Sequence, residues 1–281
     1  MEHKQKIEDF KNIIIKEHSE GKSLKEICDI IGFYPKKVSD YLKSIGLKPN
    51  KYHKSKKVNE HYFDVIDTEE KAYFLGFFIA DGCIREEYDK RTNSKYTRLC
   101  FSNSIDDSEI IEKIHEIICP ENKIQKAHNT KGAKNRKEQL ILQWTSRIMV
   151  KTLETKYGIK PKKTFDTNYK FPFETIDRKF HKDFIRGFID GDGSISKEDI
   201  RFSLNSKKFG EQIVDILYNE VFLPNKELIY DFNYSITEVD GKTTKYWRLR
   251  FPTGHGKYKF YKKYLYESAS VFLHRKKVKL D

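Results

Sequence analysis

The sequence predicts an α+β protein: two pseudo-twofold-related α-β-β-α-β-β-α repeats preceded by a small all-α helix-turn-helix domain. Three observations predict it. Tyr73–Ile84 (YFLGFFIADGCI) and Phe184–Ile195 (FIRGFIDGDGSI) are nearly the same apolar string. The patterns that follow each string recur in the same order, over about 100 residues per copy. Residues 5–47 show only helical periodicity. The divisions fall at 1–50 (helix-turn-helix), 51–66 (basic linker), 67–172 (first repeat) and 173–281 (second repeat).

In the N-terminal unit, Ile7, Phe10, Ile14 and Ile15 recur at helical spacing and Gly21 breaks the helix. Ser23 with Glu26 forms the signature of a capping box, ahead of a second apolar face of Leu24, Ile27, Ile30 and Ile31. Gly32 turns the chain, and Pro35 suits the first turn of a third helix. There Val38, Tyr41, Leu42 and Ile45 are expected to face inward, with Lys36, Lys37, Ser39 and Lys43 outward. Helix, glycine turn and basic third helix are the pattern of a DNA-binding helix-turn-helix, with Lys36, Lys37 and Lys43 as candidate contacts. Lys48–Lys57 follows with five lysines and no acid, a tether able to track phosphates.

In the first repeat, a helix over 68–81 precedes a strand pair, Ile84–Tyr88 and Tyr96–Ser102, and a helix carrying Ile110, Ile111, Ile114, Ile117 and Ile118. A second strand pair near 123–127 and 139–144 and a helix near 147–157 complete it. In the second repeat, helix 178–192 leads to short strands at Ile195 and Arg201–Leu204, then a helix with Ile213, Val214, Ile216 and Leu217. Strands at 227–236 and 245–251 and a helix near 258–268 close the chain. The strand segments are rich in Tyr, Phe, Thr and Ile, as half-buried strand positions require.

The 281 residues carry a net charge of +13, which favours a polyanionic partner, most often nucleic acid. The longest apolar run, Ala72–Ala80, is far short of the roughly 20 residues a membrane span needs, and the polar start shows no targeting signal. An intracellular protein, cytoplasmic or nucleoid-associated, is expected. Cys28, Cys83, Cys100 and Cys119 are scattered, with no C-x-x-C pair. Neither a zinc site nor a disulfide framework is expected, only thiols in a reducing compartment.

The chemistry lies in the repeated helices. Asp67 with Glu70, and Asp177, are candidate N-caps. Gly76 and Ala80 share one helix face, as do Gly187 and Gly191, and small residues four apart let two helix backbones approach closely. Mutual packing about a pseudo-twofold axis brings Asp81 and Asp192 together. Gly82 and Gly193 then suit left-handed C-caps. A carboxylate at a helix C-terminus is disfavoured by about 0.3–1 kcal/mol. Two of them about 5 Å apart repel by about 3 kcal/mol at an effective dielectric near 20. A divalent cation between them reverses both signs, and oxygen ligands completed by phosphate and water suit Mg²⁺. In a basic protein this points to metal-assisted hydrolysis of a phosphodiester. A calcium EF-hand starting at Asp190 and Asp192 is excluded, because Ile195 stands where glycine is needed and Arg201 where glutamate is needed.

Phe74–Gly82 (FLGFFIADG) and Ile185–Gly193 (IRGFIDGDG) resemble the two motifs of single-chain LAGLIDADG homing endonucleases, over roughly residues 67–281. The resemblance implies cleavage of double-stranded DNA with 3′ overhangs, saddle-shaped sheets in the major groove, and a monomer with internal pseudo-twofold symmetry. Asp81 and Asp192 are the implied metal ligands, with Mg²⁺ as cofactor, Mn²⁺ as substitute, and Ca²⁺ supporting binding without cleavage. The sixth motif position, often acidic in the family, is Asp190 in one copy and Ile79 in the other. GIKPKKT and FLHRKK resemble the family's basic segments and imply Lys163 and Lys276 near the scissile phosphates, where a lysine polarises water or stabilises developing charge. Without splicing residues around the repeats, an intron-encoded or free-standing enzyme is implied.

Alternation places Arg85, Glu87, Arg98 and Cys100 on one face of the first strand pair, which has a basic tip at Asp89–Lys95, and makes Arg201 a further DNA-facing candidate. A basic loop at His128–Lys137 and a short turn at Lys197–Asp199 suggest a footprint wider on the first-repeat side. Two rival readings stay open: a non-cleaving DNA-binding regulator on the same scaffold, and an RNA-binding intron maturase.

Overall fold

The computed structural model describes residues 6–50, 57–90, 93–127, 138–196, 198–220, 231–239, 242–254 and 258–280. The loop 128–137, most of the basic linker, part of the Asp89–Lys95 tip and Lys197 lie outside the described residues. Two compact units are present, Met1–Val58 and Asn59–Asp281.

In the first unit a 3-10 turn, Ile7–Phe10, leads into α1 (Lys11–Ser19), followed by α2 (Leu24–Ile31) and α3 (Pro35–Ser44). Ser23 and Glu26 form the capping box of α2, and Gly32, at φ 70°, closes it in the left-handed conformation. Ile14, Ile27, Cys28, Ile31, Val38 and Leu42 make the core. Ile15, Ile30 and Ile45, expected inward, are exposed. Helices this short offer a narrow inward stripe, which on α2 runs through Ile27, Cys28 and Ile31 and leaves Ile30 outside it.

The second unit holds the two repeats. The first comprises α4 (Glu69–Asp81), β1 (Gly82–Asp89), β2 (Ser94–Ser104), α5 (Ser108–Ile118), β3 (Gln125–Ala127), β4 (Gln139–Trp144) and α6 (Arg147–Tyr157). The second comprises α7 (His181–Asp192), β5 (Gly193–Ile195), β6 (Asp199–Leu204), α8 (Lys207–Glu220), β7 (Asp231–Val239), β8 (Lys242–Pro252), α9 (Tyr258–Tyr261), running on into a π-helical stretch Lys262–Glu267, and α10 (His274–Lys277). The sheets are antiparallel and topologically identical, β1-β2-β4-β3 and β5-β6-β8-β7. One face of each is apolar: Ile84, Leu99, Phe101, Leu142 and Trp144 in the first, Ile195, Ile200, Phe202, Leu249 and Phe251 in the second, all buried. The other faces carry the polar residues, as period-two alternation dictates.

Strand lengths are exchanged between the sheets. β1 and β2 run 8 and 11 residues against 3 and 6 for β5 and β6, whereas β7 and β8 run 9 and 11 against 3 and 6 for β3 and β4. The described strands alone favour neither repeat, and the loop 128–137 on which the wider first-repeat footprint rested lies outside the described residues.

Three local expectations are corrected. Thr68, not Asp67, caps α4, accepting from the Lys71 amide, while Asp67 pairs with the Lys71 ammonium at 2.8 Å. Gly82 and Gly193 are extended (φ −75° and −83°), not left-handed. Glycine is required there because a Cβ would strike Phe78 or Ile189 one turn back. Cys83 and Cys100, directly opposed on β1 and β2 with Cα atoms 5.3 Å apart, form a disulfide, against the expectation of four thiols. Strand register brought them within bridging distance. Cys28 and Cys119 are free and buried.

Candidate active site

α4 and α7 meet backbone to backbone. A Cβ on Gly76 would fall on the Phe184 carbonyl oxygen, and one on Gly187 on the Tyr73 carbonyl oxygen. The two relations are reciprocal at a common offset, 187 − 76 = 184 − 73 = 111, as a pseudo-twofold axis demands. Further down the seam a Cβ on Gly191 would strike the Ala80 methyl, with the Asp81 carboxylate oxygen 3.3 Å away. The small residues thus set how close the two helix ends come, and the ends carry Asp81 and Asp192.

Each helix end is closed by a lysine from a distant segment. Lys163 Nζ donates to the carbonyls of Phe78 (3.3 Å), Ile79 and Ala80 (2.9 Å). Lys276 Nζ donates to Ile189 (2.8 Å), Asp190, Gly191 (3.4 Å) and Gly193 (2.7 Å). Phe78, Ile79 and Ala80 correspond to Ile189, Asp190 and Gly191, so the same carbonyls are capped in both copies. The last-turn carbonyls of a helix have no partner of their own and form the negative pole of its dipole. An ammonium on them offsets the field that otherwise disfavours an aspartate at that end. These lysines therefore sit beside the carboxylates, with their donors on main-chain carbonyls.

Burial pushes the Lys163 ammonium down to about 8 against the pull of Asp192 and Asp81. Burial likewise lowers Lys276 to about 8, with the Asp190 and Asp81 charges opposing the shift. Burial raises the Asp81 carboxyl, opposed by a hydrogen bond from Asn103 and by both lysine charges. Asp192 opens to solvent yet is crowded by protein below, and this together with the Asp81 charge pushes its carboxyl up to about 6.

Asn103, buried on β2, was missed by sequence reading. Its Nδ2 donates to Asp81 Oδ2 at 2.5 Å, while its Oδ1 is buried without a partner among the described residues. A lone Asn within a strand leaves no mark in the sequence. Its equivalent in the second repeat, two residues past the matched Phe101 and Phe202, is Leu204. Asp190, wholly buried, accepts from Tyr73 Oη and the Leu273 amide through one oxygen and from Tyr266 Oη through the other, each at 2.8 Å. Ile79 in the first repeat needs no such partners.

The remaining candidates have contacts of their own. Arg85 and Arg98 oppose each other on the polar face of the first sheet, where Arg98 donates to Gln143 and Tyr96 at 2.9 Å and pairs with Glu87 at 3.0 Å. Arg201 opposes Arg250 on the second sheet, and the buried Asp199 carboxylate accepts from Arg201 Nε at 2.8 Å and from Arg250 Nε at 2.5 Å. Lys36, Lys37 and Lys43 are exposed on α3, with Lys37 Nζ 5.7 Å from the Phe33 ring centre.

Among the described residues, no three His, Cys, Asp or Glu side chains converge on one point. The centre offers two carboxylates. Two carboxylates, neither in an ion pair among the described residues, fit a hard, largely hydrated divalent cation. No helix among the described residues is long and apolar enough to cross a membrane.

Two repeats of one α+β plan, joined through glycine-faced helices that each end in an aspartate, define the LAGLIDADG fold. The sequence profile of the LAGLIDADG-like domain matches residues 179–263, within the second repeat. No curated protein matches the chain. Among solved structures, the homing endonuclease I-DmoI in complex with DNA and Mn aligns at 16% identity with a TM-score of 0.43, covering 71% of this chain and 97% of that one. The meganuclease I-SmaMI bound to uncleaveable DNA aligns at 12% identity with a TM-score of 0.37, covering 63% of this chain and 78% of that one.

Proposed function

We propose that the protein is a site-specific, metal-dependent double-strand DNA endonuclease, a homing endonuclease that hydrolyses one phosphodiester per strand and leaves 3′ overhangs. The observation that carries this reading is the pair of aspartates at the foot of the glycine seam, each beside a helix end capped by a lysine. Two like charges held together in a strongly basic chain serve no packing purpose.

Asp81 and Asp192 would hold a divalent cation, with Mg²⁺ fitting the all-oxygen donor set. When bound it lowers the pKa of a water and neutralises charge developing on the phosphate. The chain's own residues do the rest. The glycines fix the separation of the two carboxylates. Asn103 orients Asp81 through the hydrogen bond from its Nδ2. Lys163 and Lys276 keep the helix ends from repelling the aspartates and place positive charge where phosphate oxygens approach. Arg85, Arg98 and Arg201 on the polar sheet faces supply groove and backbone contacts, and a helix-turn-helix with Lys36, Lys37 and Lys43 exposed adds phosphate contacts.

The test uses purified protein and Mg²⁺ on a randomised DNA library. Recovery of one double-strand cut site is expected. Asp81→Asn or Asp192→Asn should abolish the cut and leave binding in Ca²⁺ intact. Cleavage surviving both substitutions would refute the metal-site assignment. Specific binding without any cut by the wild-type protein would favour the regulator reading.

A further inference from the structure

Lys163 and Lys276 lie outside the long helices and the strands of the two repeats. Lys163 lies in a segment after α6, and Lys276 lies in α10 after the last long helix. Each segment folds back to cap the central helix of its own repeat. Besides contacts within its own repeat, such as the Leu273 amide on Asp190, each segment is pinned by groups from the other repeat.

Asn205, between β6 and α8 of the second repeat, donates from Nδ2 to the Lys163 carbonyl oxygen at 2.5 Å and to the Asp166 carbonyl oxygen at 3.1 Å. Ser206 Oγ donates to the Tyr169 carbonyl at 2.5 Å. Gln212 of α8 holds Phe171 by both main-chain groups, at 3.0 and 2.8 Å. On the opposite side, Asp107, immediately before α5 of the first repeat, takes both arms of the Arg275 guanidinium at 2.5 and 2.7 Å. Glu109 accepts from the His274 amide at 3.0 Å, and Glu69 from the Ser270 amide at 2.7 Å. Asn205 and Asp107 occupy the same place in the fold, the turn from the second strand into the following helix. Each anchor grips the lysine residue itself or its chain neighbour.

We infer that Asn205 and Asp107 are positioning residues that set Lys163 and Lys276 from across the pseudo-twofold axis, so that each half-site is completed by the opposite repeat. Among the described residues neither hydrogen-bonds to Asp81 or Asp192. A misplaced anchor leaves the seam and the carboxylates in place and releases one lysine, hence one half-site. This rests on the endonuclease reading for its strand-by-strand consequence, and on geometry alone for the lysine placement.

The experiment follows each strand of a supercoiled plasmid carrying the selected site. Asn205→Asp is isosteric and removes both donors. It is expected to slow cutting of the same strand that Lys163→Met slows, at least fivefold, with the other strand within twofold. In the Lys163→Met background it should add nothing. Asp107→Asn should mirror this on the strand governed by Lys276. Slowing of both strands equally, slowing of the wrong strand, or an additive double variant would overturn the inference. If Asn205→Asp melts below the assay temperature, Asn205→Gln, which keeps the donors one methylene further out, is expected to give the same strand bias, and equal slowing again overturns it. If the wild-type protein cuts no DNA, the endonuclease reading fails, and placement is read by pulse acetylation with mass spectrometry. Asn205→Asp should then label Lys163 severalfold faster with Lys276 unchanged, and unchanged labelling of Lys163 overturns the inference.

Discussion

The two repeats agree in their main chain and differ in their polar support. In both, a glycine meets the partner helix's carbonyl, and a lysine caps the same carbonyls. Yet Asp81 has the Asn103 amide where Asp192 has Leu204 nearby, and Asp190 anchors Tyr73, Tyr266 and the Leu273 amide where the first repeat has Ile79. Lys276 is buried, while Lys163 borders a cavity lined by Asp192, Asn205, Phe209 and Tyr246. Backbone geometry is therefore the requirement the two repeats share. Each half then solves its own problem of holding a charge near the axis.

The sharpest way to break the comparison is at the seam. Gly76→Leu and Gly187→Leu each drive a side chain into a main-chain carbonyl that cannot retreat. Both should cost more than about 4 kcal/mol, by urea unfolding, and to the same degree. A large difference between them would deny the pseudo-twofold equivalence.

Asp190→Ile copies the first repeat's residue into the second. It strands two tyrosine hydroxyls and an amide, so a loss of about 3 kcal/mol or more is expected. A neutral result would mean that those groups find water. Next in size is the carboxylate support. Asn103→Leu copies Leu204 into the first repeat and should weaken Mn²⁺ binding about tenfold by calorimetry, as loss of an outer-shell partner does.

The smallest effect is in pH. The Asp192 carboxyl stands at about 6, above its ordinary value, so the folded apoprotein binds a proton more readily than the unfolded chain. That term stabilises the apoprotein as pH falls from about 6 toward 4 and is lost as pH rises through 6. Metal binding competes with the same proton. Apparent affinity should fall only about twofold from pH 7 to 6 and approach tenfold per unit below. Asp192→Asn removes this group's share and leaves that of Asp81, whose carboxyl burial also raises, whereas Asn103→Leu leaves the Asp192 share in place.

What could be read from sequence follows from how locally it is encoded. Gly76, Gly187, Asp81 and Asp192 announce themselves because the same string occurs twice. Ser23 with Glu26 and Gly32 are local cap signals, and the structure carries them at those positions. Asn103 and Asp190 gain their meaning from residues far along the chain, Asp81 in one case and Leu273 in the other, and no window on the sequence spans such pairs. Cys83 and Cys100 escaped because their pairing depends on a strand register that a shift of one residue would undo. Gly82 and Gly193 were placed correctly for a different reason than the true one, since a helix-terminal glycine looks the same whether it frees φ or clears space for Phe78 and Ile189.

The seam also bears on how freely the halves can be exchanged. Where each helix meets the other's carbonyl groups, little in the contact distinguishes one partner from another, since every chain has the same main chain. Side-chain discrimination across the junction falls to a limited set of polar contacts: the pairs Arg186 with Glu69 and Arg275 with Asp107, the Tyr73 hydroxyl on Asp190, and the side chains of Asn205, Ser206, Gln212 and Glu109 on the opposite repeat's main chain. A half of this protein should therefore mate with a half of foreign origin once those contacts are matched, which makes the fold modular at its most tightly packed point.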